Sequence, residues 1–186
     1  MKLLLIFLIT ISVSFGTTIN SSILKIHATI VPKLYLMDYS YREKTKNDMI
    51  TIALIYTKID YKSALLLKNK IDYKYSKGLK SYKVRTLVIP YKKVDSCNAN
   101  IYYTFPSKFE NIKKVIRQAD ENEALTFAYL ENDLKYGIMI SLNIGKKVKP
   151  VLNLDAIRLY NISFRPILLD ISSIYGSNIN KKENIL

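Results

Sequence analysis

A single cysteine, Cys97, excludes any disulfide within the chain. In an oxidising compartment an unpaired thiol is buried, bridges two chains into a homodimer, or reacts; its place beside an apolar strand favours burial. His27 is the only histidine. One His and one Cys do not build a metal site of the usual kind, and they nominate neither a Ser-His-Asp nor a Cys-His pair. Glycine occurs only at 16, 78, 137, 145 and 176, so no glycine-rich loop is present to cradle a phosphate. Tryptophan is absent, and no pair of carboxylates stands out for acid–base work. The acidic run Asp120-Glu121-Asn122-Glu123 reads as a solvated helix end or loop. These shortages leave no catalytic, cofactor-binding or metal residues to name and point to a non-enzymatic protein.

Long apolar runs are missing too, except at the start. Lys2 gives a positive n-region, Leu3 to Val13 is almost wholly apolar, and Ser14-Phe15-Gly16 puts small residues at the cleavage-defining positions. This is the layout of a secretory signal peptide over residues 1–16. Its apolar run is shorter than the roughly 20 residues a spanning helix needs. No cysteine follows the cleavage point to carry a lipid, and no later stretch could insert stably in a membrane. The expectation is an exported protein of the periplasm, with one domain over 17–176 and a polar tail over 177–186.

Charge of one sign is scarce. The chain carries 29 basic and 15 acidic side chains, a net +14, and Lys2 is the only charge in the signal. Within a cell such a balance would suggest nucleic acid. Export removes that partner and leaves anionic headgroups, wall polymers or an acidic protein face. Abundant Ile, Lys, Asn and Tyr with no Trp is also how AT-rich coding DNA biases a protein, so the charge speaks for solubility and steering rather than for one ligand.

Ser22 opens a helical stripe of Ile23, His27, Ile30 and Leu34, in which Pro32 kinks the helix or starts a second one. His27 falls inside the stripe and reads as a packed residue. Tyr41 to Asp48 reads as a loop. Met49 to Tyr56 is apolar on both faces, as suits a central strand with helices on either side. Asp60 is placed to cap a helix through Ala64, Leu67 and Ile71, which Gly78 would end. Tyr82 to Pro90 is a second strand, and Ile101 to Phe105 a third. Ser107-Lys108-Phe109-Glu110 has the form of a capping box, leading a helix whose Phe109, Ile112, Ile116 and Ala119 share a face. Ala124 to Leu130 is a fourth strand. The pattern predicts an α/β domain, a mixed, mostly parallel sheet flanked by helices in a Rossmann-like three-layer sandwich.

The last third adds a C-terminal β-hairpin. Gly137 to Asn143 carries Ile138, Ile140 and Leu142 on one face, Gly145 sits in the turn free to take positive φ, and Val148 to Leu152 returns. Pro150 predicts an edge or a bulge. Asn153 is placed to cap the following turn, and Ser163 to cap a final helix ending near Gly176.

The run Leu142-Asn143-Ile144-Gly145-Lys146-Lys147-Val148-Lys149-Pro150-Val151-Leu152-Asn153-Leu154-Asp155-Ala156, with Ile162-Ser163 and Leu168-Leu169 beyond it, resembles the C-terminal signature of the YfiR-like family. The helix after an export signal and the cysteine near the third strand are similar in order and spacing. The resemblance implies a periplasmic regulator that binds the periplasmic part of an inner-membrane signalling protein, of the diguanylate cyclase or sensor kinase type. In two places the chain departs from the pattern. His27 to Lys33 stands where the family has an aromatic, Trp-Pro-containing stretch, and the lone Cys97 rules out disulfide control within one chain. The alternative is a periplasmic small-ligand-binding subunit serving a transporter or sensor, with its cleft at the carboxyl ends of the parallel strands. A concave pocket lined by several tyrosines would favour that alternative; a flat, basic, aromatic-containing face would favour a protein partner.

Overall fold

The computed structural model describes residues 19–176. The expected signal peptide with its cleavage point at Gly16, and the polar tail from 177, lie outside the described residues. Seven strands form one sheet in the order β2-β1-β3-β4-β5-β6-β7. They are β1 (Met49–Tyr56), β2 (Lys83–Pro90), β3 (Ile101–Thr104), β4 (Leu125–Ala128), β5 (Ile140–Ile144), β6 (Val148–Leu152) and β7 (Ser173–Ile174). β1 to β5 pair in parallel, β5 and β6 form the antiparallel hairpin, and β7 runs parallel to β6. The helices are α1 (Ser21–Tyr35), α2 (Tyr41–Lys44), α3 (Tyr61–Lys74), α4 (Phe109–Glu121), α5 (Leu154–Leu159) and α6 (Pro166–Ile171). The protein is an α/β domain with helices on both faces of a mostly parallel sheet.

Alternation along the strands assigns the faces. Ile50, Ile52 and Leu54 of β1 join Ile101, Tyr103, Leu125 and Phe127 under α1 and α3. Ala53 and Ile55 point the other way, to Tyr102, Val115 and Ala119 under α4. Both faces of β1 are fully buried, and each large side chain so buried contributes about 1.5–3 kcal/mol.

Several local expectations need correction. No second helix starts at Pro32: the first runs through it to Tyr35, held at its start by Asn20, whose Oδ1 accepts from the Ser22 and Ile23 amides. Residues 41–48 are not a loop: α2 and a 3-10 segment at Lys46–Asp48 fill them. Asp60 stands before α3, yet its carboxylate accepts from the Thr57 hydroxyl at 2.6 Å rather than from helix amides. The capping box does not form either. Lys108 is the residue before α4, no side chain caps it, and the Ser107 hydroxyl accepts from Asn111 Nδ2 at 2.8 Å. Phe109 turns outward, 43% exposed.

Ile138 lies on the α4 face while Ile140 and Leu142 lie on the other, because the strand begins only at Ile140. Before it, Gly137 takes φ +101° and the Met139 amide bonds to a side chain of β4, Thr126 Oγ1. Gly145 is not among the glycines with positive φ; a three-residue loop joins Ile144 to its partner Val148. β6 is followed by β7 in the sheet, but β7 pairs only with Val151 and Leu152, so Pro150 itself lies at a local edge, as expected. Gly78 does need its freedom: φ is +87° and a Cβ there would meet the Tyr82 carbonyl oxygen at 2.5 Å.

Candidate functional site

Four parallel strands release their chains at one edge of the sheet, so residues 57–62, 91–96, 105–110 and 129–136 gather there. The reversal of chain direction around the sheet falls between β1 and β3, the position at which open α/β sheets most often bind. Most exposed side chains at this edge are apolar or cationic; Asp95, Ser96, Glu110 and Asn132 are also exposed. Ile59 is 91% exposed, Tyr61 45% and Phe109 43%. Tyr56 and Tyr61 meet at 5.2 Å between ring centroids and Phe109 and Tyr136 at 5.1 Å, with Lys135 Nζ over the Tyr136 ring. Lys58, Lys62, Lys92, Lys93, Lys108 and Lys135 are all exposed and take part in none of the ion pairs among the described residues.

The acids of the same segments are partly hidden. Asp60 and Asp133 are buried. Burial raises the Asp133 carboxyl to about 6, against a smaller opposing pull from Lys135, and its Oδ2 has no hydrogen-bond partner. The Tyr91 hydroxyl donates to the Phe105 carbonyl at 2.5 Å and is pushed upward by burial and by the nearby Asp133 and Asp60. The Tyr91 bond ties the loops after β2 and β3 together under the exposed surface.

The cavities lie at the opposite edge. One of about 580 Å³ opens between the starts of β1, β2, β3 and β4. Its floor is locked: Asn100 Oδ1 accepts from the Thr51 amide at 2.8 Å, and Asn100 Nδ2 donates to Tyr35 Oη and to the Lys44 carbonyl. Arg85 Nη2 donates to Thr51 Oγ1 at 3.1 Å. Lys44 is held by the buried Asp38 carboxylate at 2.9 Å. A second cavity of about 540 Å³, with Tyr75 and Tyr82 in its wall, lies against the Gly78 turn. The ligand-binding alternative placed its cleft at the carboxyl ends of the strands, and both of these cavities are at the other end.

Cys97, Gly145, Asn153, Ser163 and His27 do not line either cavity. Cys97 is buried at 5% exposure, and burial raises its thiol despite Arg85 nearby. Gly145 sits in the hairpin loop. Asn153 stands at the hairpin-to-helix junction: its Oδ1 accepts from the Ala156 amide at 3.1 Å while Nδ2 donates to the Leu134 carbonyl at 2.8 Å. Ser163 does not cap the final helix. Arg165 precedes α6 with no side-chain cap, and Ser163 instead accepts from the Tyr39 amide through its carbonyl at 2.8 Å, tying α1's exit to the C-terminal segment. His27 is fully buried, its Nδ1 2.7 Å from Tyr103 Oη. Sequence reasoning did not find Arg85, Asn100 or the lysine-bearing edge, since each is assembled from segments far apart in the chain. Among the described residues no group of His, Cys, Asp and Glu is placed to hold a metal ion, and no helix is long and apolar enough to cross a membrane.

No family model and no curated protein matches the chain. Solved structures match its fold. A conserved domain protein from Vibrio cholerae superposes with a TM-score of 0.55 at 12% identity, covering 81% of this chain and 59% of that one. The ABC domain from Streptococcus pneumoniae, in complex with L-Trp, superposes with a TM-score of 0.53 at 9% identity, covering 81% and 61%. The chain therefore spans about six-tenths of the length of each neighbour. At these identities the likeness is one of fold.

Proposed function

We propose that this chain is an exported, non-enzymatic regulatory module of the YfiR-like kind, which binds the periplasmic part of an inner-membrane signalling protein. The observation that carries the reading is the edge formed by 57–62, 91–96, 105–110 and 129–136. It is basic on balance, it presents Ile59, Tyr61 and Phe109 to solvent, and two of its carboxylates, Asp60 and Asp133, are withdrawn beneath it, while Asp95 is paired with Arg117 and Glu110 is exposed. An apolar, aromatic centre with a charged rim is the composition of a protein-binding surface. Unpaired lysines complement an acidic face on the partner.

The experiment is capture of a membrane protein from detergent-solubilised membranes on the tagged mature chain. It is repeated with Ile59→Asp and with Lys58→Glu combined with Lys62→Glu. All these side chains are solvent-exposed, so the variants keep the wild-type melting temperature while losing the captured protein. Equal capture by wild type and both variants would remove this edge as the docking surface.

A second reading, a small-ligand-binding subunit for a transporter or sensor, draws support from the two cavities and from the fold neighbour that is in complex with L-Trp. Capture of no membrane protein, together with a rise in melting temperature on adding a small molecule, would favour it.

A further inference from the structure

The geometry points to a second site at the opposite edge of the sheet, in which the cavity of about 580 Å³ binds a small zwitterion of the amino-acid or short-peptide class. Its volume falls within the usual range for small-molecule sites, about 300–1,000 Å³. The walls carry opposite charges that the protein does not pair. On the β2 side stands Arg85, which spends one donor on Thr51 Oγ1 and has no carboxylate within ion-pair distance among the described residues. On the β4 side stand Glu121 and Glu123, which likewise enter none of the ion pairs. Arg85 lies on β2 and the two glutamates just before β4, three strand spacings apart, about 14 Å along the sheet before the side chains reach inward.

The glutamates sit where the fold itself disfavours them. They close α4, whose last turn holds no basic residue, so Glu121 adds negative charge to the negative end of the helix dipole. Glu123 follows in the left-handed region, φ +50°, at the kind of post-helical position that favours glycine. A bound ammonium relieves the first conflict by neutralising the charge gathered there. Between the charged walls, the Thr51–Asn100 floor is fixed by the bonds to Tyr35 and Lys44, so the site does not need ordering on binding. A carboxylate takes the free fork of Arg85, which suits bidentate recognition.

The site is independent of the docking edge, so its failure would leave the regulatory reading standing. The test is calorimetric titration of the mature chain with L-alanine, L-tryptophan and L-alanyl-L-alanine, beside N-acetyl-L-alanine, which lacks the ammonium, and L-alaninamide, which lacks the carboxylate. The expected result is saturable binding of at least one zwitterion and no binding of either half-ligand at the same concentrations. Arg85→Ala should weaken the zwitterion at least tenfold, with only a small drop in melting temperature from the lost bond to Thr51. Glu123→Gly should raise the melting temperature of the free protein by removing the left-handed glutamate, yet weaken binding. The free amino acid and the dipeptide are told apart by which of them saturates. Binding of no zwitterion up to 10 mM (roughly the weak end for specific sites), equal binding of a half-ligand, or undiminished binding by Arg85→Ala would each overturn the proposal.

Discussion

His27 is enclosed by Tyr103, Phe127 and Tyr129, with Nε2 left without a partner, and burial lowers its pKa from 6.5 to about 4. The unfolded chain therefore takes up this proton first as pH falls. The stability contributed by neutral His27 is present above 6.5 and lost as pH drops towards 4, by about 3 kcal/mol. Asp133 acts in the opposite sense. Its pKa rises from 3.8 to about 6, so the folded state holds the proton more firmly, and stability present at low pH is lost as pH rises through that window, again by about 3 kcal/mol. Together the two flatten the acid limb, and urea melts between pH 4 and 7 should show a weak slope in the wild type. His27→Asn, which leaves a polar atom facing Tyr103, should make the protein gain stability on acidification; Asp133→Asn should make it lose stability more steeply than wild type. Cys97 belongs to the same scale. Its side chain is buried and its carbonyl, not its sulfur, accepts from Tyr102 at 2.5 Å and from Gln118. Cys97→Ser should therefore cost no more than about 2 kcal/mol, measured by urea melts in oxidising buffer. A covalent dimer on non-reducing gels, lost in the mutant along with most of the stability, would instead make the thiol a structural cross-link.

Among elements, the junction between β6 and α5 rests on Asn153 doing two jobs at once. Asn153→Ala removes the cap on Ala156 and the donor to Leu134, a loss of about 1–3 kcal/mol in thermal or urea melts. Asn153→Asp keeps the cap but faces the Leu134 carbonyl with an acceptor, so it should also destabilise; a melt equal to wild type would show that only the cap matters. The cap was legible in the sequence because it is local, one amide oxygen and an amide three residues on. So was β1, whose apolar run Met49 to Tyr56 is long and unbroken, and so was the hairpin. The errors came where a residue with good local chemistry found a distant or different partner. Ser107 and Ser163 both stand a few residues ahead of a helix, but Ser107 receives Asn111 and Ser163 pairs through its backbone with Tyr39. Alternation groups Ile138 with Ile140 and Leu142, which fails because the strand begins only at Ile140. The candidate site was less legible than the fold. Arg85 sits in an edge strand as one more basic residue, and only the sheet order brings it beside Thr51 and the end of α4. The run Asp120 to Glu123 looked like a solvated helix end, and it is one; its place on a cavity wall follows from topology alone.

At the scale of the molecule, the two edges of the sheet differ in kind. One is a cavity with both signs of charge, the other a basic face that exposes apolar side chains. If residues 1–16 are an export signal, the intact mass of protein from a periplasmic extract should correspond to cleavage after Gly16, leaving a chain with one positive charge fewer than the +14 of the full sequence. A mass that retains Met1, in a cytosolic fraction, would take away the compartment on which the regulatory reading depends. With the charge in place, long-range attraction should speed the encounter with an acidic partner, and salt should weaken that attraction: the Debye length falls from roughly 30 Å at 0.01 M to about 8 Å at 0.15 M. The on-rate with the partner's periplasmic domain should therefore drop over that range, while the off-rate, set by Ile59, Tyr61 and Phe109 leaving a desolvated contact, should change little. Lys58→Glu combined with Lys62→Glu should flatten the salt dependence of the on-rate, and Ile59→Ala should raise the off-rate and leave that dependence intact. An on-rate insensitive to salt in the wild type would mean that the lysines do not steer, and that the contact is made elsewhere on the molecule.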